Sequence, residues 1–196
     1  MVEFDLSKAI VALVNGNIIV YPTDTLYGLG ADIFNDDAVR KVFEIKKRPM
    51  DMPLSVAVPD YATLEKIAFT DGKTWRLAES FLPGKLTLIL NKKYCISDIV
   101  TAGLDKVAVR IPDNKIALEL LSKFGPITAT SANIHGRETP GIISDISMQF
   151  RDDDVSVYLD IGKLEGQPST IVDMTGKQIK ILREGAIKKR DILDAI

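Results

Sequence analysis

Histidine and cysteine are almost missing from this chain, and their scarcity removes whole classes of chemistry. Of 196 residues, one is cysteine, Cys95, and one is histidine, His135. A lone cysteine forms no internal disulfide and fits a reducing compartment. Zinc sites built from cysteine and histidine need several such ligands, and a serine–histidine–acid triad would have to rest on His135 alone. Aromatic residues make up 7% of the chain and do not group into a platform for stacking RNA bases. No stretch approaches the ~18 consecutive apolar residues that cross a bilayer. The opening residues, Met1-Val2-Glu3-Phe4-Asp5, lack the cationic lead and apolar segment of a secretion signal, so a cytoplasmic location without membrane attachment is expected. Bulk charge of one sign is lacking as well. A formal net charge of −2 excludes a generic polyanion binder and leaves nucleic-acid affinity to a local patch.

Glycine-rich phosphate loops are also absent. No G-x-x-x-x-G-K-[ST] sequence occurs, and Tyr27-Gly28-Leu29-Gly30 is not followed by the third glycine of a dinucleotide fingerprint. A nucleotide, if one is bound, must be held by side-chain cations.

What is present is an ordinary globular composition, 46% hydrophobic and 27% charged, with length enough for one substantial core. Leu6, Ile10 and Leu13 share a helical face that Asp5 would cap and Gly16 would stop. Residues 17–21 read as a buried strand ending at Pro22. Asp36 or Asp37 is the expected cap of a helix that turns Val39, Val42 and Phe43 inward, and Pro49 forbids its continuation past Arg48. Further strands are expected at 54–58, 85–90, 106–111, 126–129, 155–159, 170–174 and 179–182. Helices are expected at 61–68, 74–81, 115–123, near 144–150 and from Lys188. Some strands alternate with helices while others follow one another by short turns, which predicts an α/β (mixed α+β) domain built on a mixed sheet.

Four places along this chain could carry chemistry. Lys46-Lys47-Arg48-Pro49 puts three cations at a helix end, where an anion would relieve their repulsion. Each charge-assisted hydrogen bond to a phosphate is worth roughly 1.5–3 kcal/mol; a solvated helix C-terminus meeting its dipole is the plainer reading. Thr128-Ala129-Thr130-Ser131-Ala132-Asn133 supplies short donors and acceptors at a strand exit, where ligands of α/β sheets bind, or simply a capped turn. Ser169-Thr170 enters one strand and Arg183 leaves the next. Arg110 ends an apolar strand and could pair a carboxylate bidentately, or face solvent. Thr25 could bind a ligand or close a turn, and His135 reads as a surface residue.

Taken in order, these segments resemble the YrdC-like family of threonylcarbamoyl-AMP synthases. The resemblance is carried by YPTDTLYGLG at 21–30, KKRPMDMPLSV at 46–56, PGKLTLIL at 83–90, TAGLDKVAVRIP at 101–112, ITATSAN at 127–133, PSTIVDMT at 168–175 and ILREG at 181–185. It implies a single domain over residues 1–196, with no additional C-terminal domain. That domain is a twisted mixed sheet with flanking helices enclosing a concave, positive cavity. It further implies a nucleotidyltransferase that takes L-threonine, bicarbonate and ATP with Mg2+ to threonylcarbamoyl adenylate and pyrophosphate. The product passes to a separate transferase that modifies tRNA.

Carried over by position, Lys46 and Arg48 are the catalytic pair. Thr25, Arg110, Ser131 and Ser169 fall on the threonine side. Lys46, Arg48, Lys106, Asn133, Thr139 and Arg183 fall on the nucleotide side, with backbone contacts at Met52 and Ala129, and no dedicated metal ligand. Ala57 stands where relatives often carry histidine. The reaction needs positive charge fixed along the phosphates rather than a covalent enzyme intermediate. Three other readings compete: a module of the same fold that binds double-stranded RNA or tRNA without this chemistry, a related carbamoyl or adenylyl chemistry, and a metal-dependent hydrolase.

Overall fold

The computed structural model describes residues 6–196. Helix α1 (Ser7–Val14) buries Ala9, Ala12 and Leu13, and the chain turns away at Gly16, whose φ is 70°; the expected cap Asp5 lies outside the described residues. Strand β1 (Ile19–Tyr21) is buried throughout and pairs antiparallel with β2 (Gly28–Gly30). A Cβ on Gly30 would come within 3.0–3.1 Å of Ile127, Ile19 and Tyr21. Gly28 and Gly30, which lack the third glycine of a dinucleotide fingerprint, instead serve close packing.

Helix α2 (Asp36–Lys46) turns Val39, Val42 and Phe43 inward as expected. Its cap, however, is Asn35, whose side chain accepts from the amides of Asp37 and Ala38. Asp36 and Asp37 sit one step later, in the first turn, where carboxylates meet the positive end of the helix dipole. The helix stops at Lys47, which adopts a left-handed φ of 52° before Pro49.

Strand β3 (Ser55–Ala57) leads to α3 (Tyr61–Ile67) and α4 (Gly72–Phe81), capped by Asp60 and Asp71. Strand β4 (Leu86–Asn91) is followed by α5 (Asp98–Thr101), a short helix the periodicity does not announce, and by β5 (Lys106–Arg110). Helix α6 (Lys115–Phe124) is capped by Asn114. The strand expected at 126–129 is two pieces, β6 (Ile127–Thr128) and β7 (Thr130–Ser131). The chain finishes with α7 (Ile143–Ser147), β8 (Val157–Tyr158), β9 (Thr170–Asp173), β10 (Lys180–Arg183) and α8 (Lys189–Asp194). No helix among the described residues is long and apolar enough to cross a membrane.

The strands form two mixed sheets rather than one. Four strands run β7-β2-β1-β8 and six run β10-β9-β4-β5-β3-β6. The split falls at Ala129, because β6 pairs with β3 while β7 pairs with β2. Thr128 binds the two sheets at that point. Its Oγ1 donates to the Leu29 carbonyl at 2.8 Å and accepts from the Ala31 amide at 3.0 Å. Its carbonyl accepts from the buried Tyr21 hydroxyl at 3.1 Å.

One irregularity interrupts the larger sheet. Ile181 faces Val172 and Arg183 faces Ile171, so Leu182 and Arg183 together oppose one residue of β9. Such a bulge breaks the two-residue alternation and re-aims side chains.

Candidate active site

A cavity of about 440 Å³ lies against both sheets. That volume lies within the range of small-molecule pockets. One wall is the turn after β1. Thr23 Oγ1 donates to the Leu26 carbonyl at 2.6 Å and accepts from the amides of Thr25 and Leu26 at 3.1 and 3.2 Å. Thr23 Oγ1 also lies 3.0 Å from Thr25 Oγ1. Thr25 Oγ1 accepts from Arg110 Nη1 at 3.1 Å.

Arg110 comes from β5 and is itself held. Its Nη2 donates to Asp24 Oδ1 at 2.6 Å, and both side chains are 7% exposed. A second acceptor is the Gly84 carbonyl at 3.3 Å. Among the described residues, Asp24 Oδ2 and Arg110 Nε are buried without a hydrogen-bond partner. Loop 159–168 closes this wall. Tyr27 Oη donates to the Gly162 carbonyl at 2.7 Å and accepts from the Ile161 amide at 3.0 Å. A Cβ on Gly166 would lie 1.9 Å from the Thr25 carbonyl, so only glycine lets the loop lie this close.

Arg183 and Ser169 form the opposite corner. Arg183 donates to the Ser169 carbonyl from Nε at 3.1 Å and Nη2 at 2.8 Å, and to Ser169 Oγ at 3.2 Å. Ser169 Oγ also lies 2.8 Å from Thr87 Oγ1. Partial burial, and then the Arg110 charge, lower the Arg183 pKa.

The K-x-R and S-x-N pairs meet, but not as two cations side by side on the cavity. Arg48 lines it, held by donation to the Met52 carbonyl at 3.1 Å and the Pro53 carbonyl at 3.0 Å. Lys46 lies behind Ser131, 1% exposed. Its Nζ donates to the carbonyls of Ser131 and Asn133 at 2.6 and 2.7 Å and to Asn133 Oδ1 at 3.2 Å. Ser131 Oγ donates to the same Oδ1 at 2.6 Å, and Asn133 Nδ2 donates to the carbonyls of Ile134 and Arg137. Burial, and then the Arg48 guanidinium, pull the Lys46 pKa down to about 7. Lys46 thus fixes the loop that presents Ser131.

Thr25, Arg48, Arg110, Ala129, Ser131, Thr139, Ser169 and Arg183 line the cavity, whereas Lys46, Met52, Lys106 and Asn133 do not. Lys106 Nζ is paired with Asp173 Oδ2 at 2.9 Å. Burial opposes ionisation of Asp173, but bonds from Thr175 and Lys106 outweigh it and hold the pKa below normal. Ala57 is fully buried, facing Arg110 across the β3–β5 pairing. His135 is exposed, as expected. Sequence reading passed over Thr23 and Asp24 as functional residues, although an acid flanked by threonines inside YPTDT was a usable signal. No group of three or more acid, histidine or cysteine side chains among the described residues could hold a metal ion.

A protein-family model for Sua5, YciO and YrdC, described as "Telomere recombination", matches residues 11–185. The chain belongs to the Sua5/YciO/YrdC family. A putative threonylcarbamoyl-AMP synthase of Methanocaldococcus jannaschii is 42% identical over 176 residues, covering 89% of this chain and 83% of the relative. The threonylcarbamoyl-AMP synthase of Bacillus subtilis is 38% identical over 191 residues, 95% of this chain and 55% of its own length. Among solved structures, Pyrococcus abyssi Sua5 complexed with L-threonine superposes with a TM-score of 0.91 at 35% identity. There the match covers 96% of this chain and 56% of that one. The chain therefore spans most of one family member and about half the length of others. The mixed α+β architecture, with two sheets and flanking helices, is that of the Sua5 structures.

Proposed function

We propose that this chain is a threonylcarbamoyl-AMP synthase acting in the cytoplasm. The observation that carries the reading is a small cavity faced by Arg48, Arg110 and Arg183, with the hydroxyls of Thr25, Ser131 and Ser169 between them. Guanidinium groups pair carboxylates and phosphates with matched geometry. Two anions brought together there, a carboxylated amino acid and a triphosphate, would have their repulsion offset by charge already in place.

In this reading Arg110, oriented by Asp24, holds the threonine carboxylate, and Thr25, Ser131 and Ser169 orient the remaining polar groups. Threonine and bicarbonate condense with loss of water to the N-carboxylate. One of its oxygens attacks the α-phosphorus of ATP, the bond to the β-phosphate breaks, and pyrophosphate leaves toward Arg48 and Arg183. Lys46 and Asn133 hold the loop that carries Ser131, Thr139 and the backbone of Ala129 and Met52 border the nucleotide, and Lys106 flanks it. Positioning and charge supply the rate enhancement, without a covalent enzyme intermediate. Mg2+ would enter as part of the ATP substrate and would offset charge on the triphosphate beside Arg48 and Arg183. The adenylate passes to a tRNA threonylcarbamoyl transferase.

The test is pyrophosphate release from ATP with threonine and bicarbonate together and with each left out. Release that requires both supports the synthase; release indifferent to both overturns it.

A further inference from the structure

Between β8 and β9 the chain runs from Asp160 to Pro168 with no regular secondary structure after Leu159, yet its last residues are fixed at three points. Leu164, Gly166 and Pro168 each meet a different stretch of backbone. The Leu164 amide donates to the Gly141 carbonyl at 2.8 Å, and a Cβ on Gly141 would lie 2.3 Å from the Leu164 carbonyl oxygen. A Cβ on Gly166 would lie 1.9 Å from the Thr25 carbonyl oxygen and 2.6 Å from its Cα. The Pro168 carbonyl accepts from the Ala186 amide at 3.0 Å, and a Cβ on Gly185 would lie 2.1 Å from that oxygen. None of these three glycines has a left-handed φ, so closeness alone requires them.

We propose that Gly166 is a positioning residue that sets the width of the amino-acid half of the cavity, and with it the preference for threonine over serine. The inference rests on the synthase reading, from which the threonine comes. Gln167 and Pro168 join Gly166 to Ser169, which stands at the edge of the cavity floor formed by β4, β5 and β9 and is held there by Thr87 and Arg183. Gly166 itself lies against the main chain of Thr25, whose hydroxyl accepts from Arg110. The segment is thus a spacer, anchored at Ser169 and seating Thr25 across from it. Relieving a 1.9 Å overlap to an ordinary contact of at least 3.4 Å parts the two backbones by about 1.5 Å. The turn cannot absorb this internally, because Thr23 Oγ1 bonds it at three points. If the turn moves, Thr25 Oγ1 passes beyond hydrogen-bond reach of Arg110 Nη1, now 3.1 Å away. If the spacer moves, it pulls Ser169 from Thr87 and Arg183. Either way the gap opens, and a misplacement of about 1 Å can lower a rate about 100-fold.

Pyrophosphate release is measured on the intact chain, wild type and variants, with threonine and with serine at saturating bicarbonate. Gly166→Ala should raise threonine KM about tenfold or more and leave ATP KM within about twofold. It should also erase most of the roughly 10–200-fold preference that one methyl provides. Gly141→Ala obstructs the same segment away from Thr25 and should keep the wild-type ratio of threonine to serine. Should Gly166→Ala fail to fold, one glycine inserted between Gly166 and Gln167 lengthens the spacer without adding a Cβ, and should lower the same ratio. A wild-type ratio in Gly166→Ala or in the insertion variant overturns the spacer while leaving the synthase reading standing. So do equal rises in threonine and ATP KM, or an equal fall of the ratio in Gly141→Ala. Wild-type protein whose pyrophosphate release ignores threonine overturns both.

Discussion

The ammonium of Lys46 lies 2.7 Å from the main-chain oxygen of Asn133 and 3.2 Å from its side-chain oxygen. A family lysine read from sequence as a phosphate contact thus spends its donors on the protein itself, while its partner Arg48 faces the cavity. The two cations should therefore fail differently. Lys46→Met leaves the buried carbonyls of Ser131 and Asn133 short of a donor, at about 1–3 kcal/mol each way such a bond is lost. It should lower both the thermal midpoint and the activity. Arg48→Ala should abolish adenylate formation with an unchanged midpoint, as its side chain bonds only local carbonyls. Melting curves beside pyrophosphate assays separate the two; normal turnover in Arg48→Ala would refute its role.

Lys46 also makes stability depend on pH. Burial and Arg48 move its pKa from 10.5 to about 7 in the folded chain. Across that window the unfolded chain binds more protons at this site, so stability rises with pH. Below the window the ammonium is charged in both states and its burial cost is fully present; above it the cost is gone. Urea titrations at the two ends of the window should show this rise in the wild type and its loss in Lys46→Met.

Asp24→Ala would leave Arg110 buried without its counter-charge. Removing one member of a buried pair costs about 3–5 kcal/mol, so a clearly lowered unfolding midpoint is expected. Threonine KM should rise as well, because Arg110 loses the contact that orients it. A variant as stable as the wild type would mean that the pair contributes nothing.

Serine should be the poorer substrate, since one methyl in a fitted pocket is worth roughly 1–3 kcal/mol. Equal kcat/KM for serine and threonine would rule out a threonine-shaped site.

Much of this architecture was legible before any coordinates, and the reasons are physical. The helix carrying Val39, Val42 and Phe43 announced itself by a 3.6-residue period, and strands 106–111 and 170–174 by apolar runs. What stayed hidden depends on tertiary partners. Strand β2 is Gly-Leu-Gly, with little strand preference of its own; Tyr21 and Ile127 fill the space its glycines leave. The choice of Asn35 over Asp36 as cap turns on one residue of backbone geometry. The division into two sheets hinges on Thr128, an inconspicuous residue in a run of small polar ones. At the site, the carried-over cavity residues other than Thr139 came from recognisable words in the sequence, whereas Thr139 lies in the loop between two of them. The inward turn of Lys46 did not, because burying an ammonium requires three carbonyl oxygens that only the fold assembles.

The stitching at Thr128 has a final consequence. Floor and facing turn belong to separate sheets, yet one stretch of backbone enters both, crossing between them at Ala129. The gap that receives a ligand is therefore gauged by main-chain geometry at that crossing. Rotamer changes around the rim can alter what the opening admits, but not how far apart its sides stand.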